Sequence, residues 1–125
     1  MQRDMDLVRT ILMRIESSPK DRLPAHFGIF EYPPGQIAHH ARILMQEGLI
    51  EGQDLADSTG ADPDAIATSL TWKGHEFLDL ARDQQRWNRA KAIIGKVGGA
   101  PISVWTKVLT DLMLPGVDKA ASRPN

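Results

Sequence analysis

The chain has 125 residues, 42% hydrophobic and 25% charged, which fits one compact domain with a core of its own. It holds no cysteine, which excludes disulfide frameworks, thiolate metal sites and cysteine nucleophiles. Net charge is −1; the charged start Met1-Gln-Arg-Asp-Met-Asp6 and the lack of a long apolar run predict no leader and no membrane span, hence a cytoplasmic protein.

The first predicted element is an amphipathic helix over 4–17. Met5, Val8, Leu12 and Ile15 recur at three- and four-residue spacing, Ile11 widens the stripe, and Asp4 or Asp6 is placed to cap the start. Ser17-Ser18-Pro19 ends it. Residues 23–32 read as a short strand that Gly28 weakens, and Pro33-Pro34 breaks the chain before a second helix over 36–47. In that helix Ile37, Ala41, Leu44 and Met45 form the inward face, and His39, Arg42 and Gln46 lie opposite. Gly48 is the natural stop.

Residues 49–53 and 65–70 read as the strands of a hairpin joined by a loop rich in turn formers. Thr71 is placed to cap one long helix over 71–94, in which Leu80, Trp87 and Ile94 repeat every seven residues. A last helix over 101–114 follows, with Ile102, Trp105, Val108, Leu109 and Leu112 on one side. Trp72, Trp87 and Trp105 all read as core. Trp105 is also a candidate anchor for a homodimer through the last helix, with packing inside the chain as the preferred reading. Residues 1–114 are expected to form one domain and 115–125 a flexible tail. The fold class is mainly α with a small β-hairpin, winged-helix-like, with additional C-terminal helices.

Several of these segments together, Arg3-Asp-Met-Asp-Leu-Val-Arg9, Gly48-Leu-Ile-Glu-Gly52, Leu70-Thr-Trp-Lys-Gly-His-Glu-Phe-Leu-Asp79, Arg82-Asp83 and Trp87-Asn88, resemble a small family of bacterial and phage proteins catalogued as a domain of unknown function. The resemblance spans roughly 1–114. It implies a winged-helix-like fold and a phage or prophage setting, and it carries over no catalytic residues. The region before Gln36 leaves little room for a separate second helix, which implies a reduced helix-turn-helix.

Charge is unevenly spread. Residues 1–30 carry a net of +1, residues 31–85 a net of −7 and residues 86–125 a net of +5. Phosphate contacts supply most protein–DNA affinity, so the middle segment is poorly suited to face DNA. Two partner classes therefore stand side by side. A DNA-binding regulator would read bases with His39, Arg42 and Gln46 and touch phosphates with Arg86, Arg89, Lys91 and Lys96. A protein-binding module or inhibitor would instead set the acidic wing, Asp54, Asp57, Asp62 and Asp64, against a basic surface. Base rates for winged helices make the regulator the better single label.

No enzyme, cofactor or metal is expected. His39 and His40 are adjacent on a helix and point about 100° apart, which makes it hard for them to share one ion. The four aspartates lack the closing glutamate of a calcium loop, and Gly95-Lys-Val-Gly-Gly99 lacks the spacing of a phosphate loop. His40 borders the apolar face and is expected to be packed and hydrogen-bonded.

Overall fold

A computed structural model describes residues 3–17, 29, 31–54, 65–95 and 99–114. Its elements, in order, are α1 (Met5–Ser17), α2 (Pro34–Gln46), β1 (Ile50–Asp54), β2 (Ala65–Leu70), α3 (Trp72–Ala81), α4 (Gln84–Ile94) and α5 (Ile102–Met113). The described residues are mainly helical with one two-stranded antiparallel sheet, the class expected from sequence. The chain groups into two compact units, Met1–Leu78 and Asp79–Asn125.

In the first unit α1 lays Leu7, Val8, Ile11, Leu12 and Ile15 inward, packing on α2 and β2. Asp4 caps α1 by accepting the Leu7 N–H at 3.2 Å. Helix α2 buries Ile37, Ala38, His40, Ala41 and Leu44 and packs on both strands. Its end follows from Gly48, whose φ of 77° suits a residue without Cβ. The Gly48 N–H donates to Met45 O at 3.1 Å and the Leu49 N–H to Leu44 O at 2.9 Å, the paired bonds of a Schellman ending. The hairpin pairs Ile50 with Leu70 and Glu51 with Ser69, then slips by one residue before Gly52 pairs with Ala67, leaving Thr68 as the extra residue of a bulge.

Two expectations need correction. The strand expected over 23–32 is absent at Ile29, Glu31 and Tyr32, and its remaining residues lie outside the described ones. The long helix expected over 71–94 is two helices, interrupted at Arg82-Asp83. Asp83 takes an extended conformation and accepts the Arg86 N–H at 2.8 Å, starting α4. Arg86 in return donates from Nε to Leu80 O at 2.9 Å and from Nη2 to Asp79 O at 3.2 Å, satisfying carbonyls that the end of α3 leaves open. The heptad phase is therefore lost across the break, and Leu80 is only half-buried while Trp87 and Ile94 are buried. In the second unit α4 packs on α5, and the Trp87 and Trp105 rings stack with centroids 4.8 Å apart. The loop 55–64 and the tail 115–125 lie outside the described residues.

Candidate partner-binding surface

Helix α2 is closed along most of its length. From Gly35 to Met45 every residue is buried or half-buried, and only the two end residues, Pro34 and Gln46, are exposed. His39, Arg42 and Gln46 do share one side, as the spacing predicted. The Nε and Nη2 atoms of Arg42 are shielded from solvent, however, so the side chain cannot offer its guanidinium fork to a guanine edge without being unpacked. His39 is half-buried and lies edge-on to His40, with centroids 5.8 Å apart. Burial first, and then the neighbouring His40 and Arg42, hold its pKa below the usual 6.5, which favours the uncharged ring.

The expected phosphate-contacting residues do not share a face. At about 100° per residue, Arg86 and Arg89 lie on one flank of α4, and Lys91 lies roughly 160° from Arg89. Arg86 is half-buried and committed to the α3 carbonyls, Arg89 is exposed, and Lys91 is half-buried. Lys96 lies outside the described residues. So do Asp57, Asp62 and Asp64 of the acidic wing; for Asp54 only the backbone is described, as the last residue of β1. Trp105 is buried at 6% exposure against Trp87, so it packs inside its own unit and offers no surface anchor. Among the described residues no group of histidine and carboxylate side chains gathers as a metal site would require, and no helix is long and apolar enough to cross a membrane.

The surface that stands out is one the sequence reading assigned to the core. Trp72 is 80% exposed, which corrects that assignment. It begins α3, whose buried side holds Gly74, Phe77 and Leu78; at helical spacing Trp72 falls opposite that side, flanked by the exposed His75 and Glu76. The signal was present in the sequence: Trp72 is out of phase with Phe77 and Leu78, and phase outweighs residue type.

The backbone beneath Trp72 is tightly tied. The Thr71 N–H donates to Leu49 O at 3.0 Å, and the Thr71 hydroxyl donates to Gly48 O while accepting the Gly74 N–H at 3.0 Å. Lys73 Nζ donates to Glu47 O at 3.1 Å. Gly74 lies so near the Leu49 carbonyl oxygen that a Cβ there would collide with it. The start of α3 is thus fixed to the end of α2, and the exposed carboxylates Glu47 and Glu51 belong to the same junction and the strand leaving it.

Comparison with known proteins places this arrangement in a family. A family model described as "Hypothetical protein (DUF2513)" matches residues 2–100. A Haemophilus influenzae protein described as "Uncharacterized protein" is 37% identical over 97 residues, covering 75% of this chain and 79% of the relative. No solved structure matches. The matched stretch runs from α1 through α4 and includes Trp72 and its supporting junction, and the chain belongs to the DUF2513 family.

Proposed function

We propose that this chain is a non-enzymatic binding protein whose first unit engages a protein partner through the outward face of α3, with Trp72 as anchor. The observation that carries the reading is the 80% exposure of a tryptophan on a backbone held by four hydrogen bonds and one close backbone approach. A large aromatic surface on a preorganised backbone binds with little ordering cost, and tryptophan is enriched among the residues that dominate interface energetics. Glu47, Glu51 and Glu76 are exposed in the same unit, and residues 31–85 carry a net of −7, which suits a basic partner surface. Within this proposal α2, the hairpin and α3 serve as a winged-helix-like scaffold in a phage or prophage setting, and α3, rather than the wing, makes the central contact.

The regulator reading through His39, Arg42 and Gln46 is second. It is supported by the net of +5 over 86–125 and by the exposed Arg89, and opposed by the closure of α2. Titration of labelled random duplex DNA at two salt concentrations separates the two. The protein-partner reading expects no salt-sensitive binding in the micromolar range. Binding that weakens steeply with salt and is lost in the R42A/Q46A double variant would overturn it in favour of the regulator.

A further inference from the structure

We propose that the outward face of α5 is a two-fold interface between two copies of this chain. Helix α5 turns Trp105 and Leu109 inward, Trp105 onto Trp87 of α4. On its opposite side Val104, Lys107, Asp111 and Leu114 follow one another at spacings of three, four and three, the pattern of a helix-pairing seam. Val104 is 40% exposed and Leu114 38%, so the two ends of the seam are apolar and open to solvent. The middle is charged, with Lys107 and Asp111 paired along the helix at 3.5 Å.

This seam is complementary to itself in one direction only. Laid antiparallel about a two-fold axis at the level of Leu109, Val104 meets Leu114 of the second copy and Lys107 meets Asp111 of the second copy. Both pairs are related by the same axis, as an isologous contact requires. The helical angles agree as well: Lys107 and Asp111 fall equally to either side of the axis, and so do Val104 and Leu114. Each lysine then has two carboxylates beside it, its own and its neighbour's, in an alternating four-charge group flanked by apolar contacts. A parallel arrangement would set lysine against lysine and aspartate against aspartate, and like charges at that spacing repel. The charges therefore select the antiparallel dimer. The occupant of this face is a second copy, because the face supplies its own complement.

A seam of one 12-residue helix is about 18 Å long, at the small end for a specific interface. The association is accordingly weak, with half-dimerisation at roughly tens to hundreds of micromolar protein.

Analytical ultracentrifugation of the full chain over a concentration series tests the proposal. The wild-type mass is expected to rise from 13.9 kDa towards twice that value. Lys107→Asp alone gathers four carboxylates at the centre and Asp111→Lys alone gathers four ammonium groups, so each is expected to hold the protein monomeric at concentrations where the wild type pairs. The double exchange K107D/D111K restores the complement and is expected to restore the dimer. Val104→Asp, at the end of the seam and outside the charged group, is expected to abolish it, with circular dichroism and tryptophan fluorescence showing each variant folded. A wild-type monomer throughout the range, a dimer indifferent to the single reversals or to Val104→Asp, or a double exchange that stays monomeric would each overturn the proposal.

Discussion

His40 is the one fully buried polar side chain in the described core, and its two ring nitrogens take opposite roles. Nε2 accepts the Asp4 N–H at 2.8 Å, which requires Nδ1 to carry the proton it donates to Gln36 O at 2.8 Å. A neutral histidine thereby ties the start of α1 to the first turn of α2. His40→Ala would leave a cavity and take the acceptor from the part-buried Asp4 amide, while Gln36 O keeps its helical bond to the backbone N–H of residue 40; it is expected to cost about 3 kcal/mol in urea denaturation. Asp4 also bears on Tyr32, the single tyrosine of the chain. Burial first, then the charge of Asp4 and its hydrogen bond, push the Tyr32 pKa up to about 12. The folded protein thus keeps a proton that the unfolded chain loses near 10. Tyr32 stabilises fully below pH 10, and that contribution disappears as pH rises towards 12. Ultraviolet titration of the tyrosinate band should give a midpoint near 12, and Asp4→Asn should bring it down towards 10. His39 works in the opposite direction: its pKa is lowered, so its contribution is present above 6.5 and declines as pH falls below that value. His39→Gln is expected to flatten stability over the mildly acidic range in chemical denaturation at several pH values.

At the scale of elements, the junction between α2, the hairpin and α3 rests on two glycines that act for different reasons. Gly48 is needed for its backbone angle, with nothing close to its missing Cβ; Gly74 is needed for space beside the Leu49 carbonyl. Gly48→Ala is expected to lose about 1 kcal/mol through left-handed strain. Gly74→Ala is expected to lose more, about 3 kcal/mol, because backbone must move. Thermal or urea unfolding of the two variants gives the order, and equal losses would argue against the close approach. Much of this scale was legible in the sequence. The stripe of Val8, Ile11, Leu12 and Ile15 reveals α1 because one face is buried, and Gly48 marks the end of α2 because few other residues tolerate its angle. The break at Arg82-Asp83 was not legible. It contains neither proline nor glycine, and it exists because Asp83 and Arg86 exchange roles, one capping the start of α4 and the other the end of α3. An aspartate within an otherwise helical pattern looks the same whether it caps or merely faces water.

For the whole molecule, spacing can show which residues share a side of a helix, but whether that side is open depends on the elements around it. His39, Arg42 and Gln46 share a side as expected, yet α2 is enclosed from Gly35 to Met45. Trp72 has the residue type of a core and the position of a surface, and its surroundings decide for the surface. The proposed partner chemistry moves with these two facts, away from a reading helix and towards an aromatic anchor on an acidic unit. On this proposal position 72 touches a partner protein. Placing a photo-crosslinking amino acid at position 72 in bacteria that express the chain, with positions 42 and 46 as comparison sites, tests it most directly. A discrete protein adduct is expected from position 72, with little or none from position 42. Protein adducts absent at 72, together with DNA adducts at 42 and 46, would contradict it.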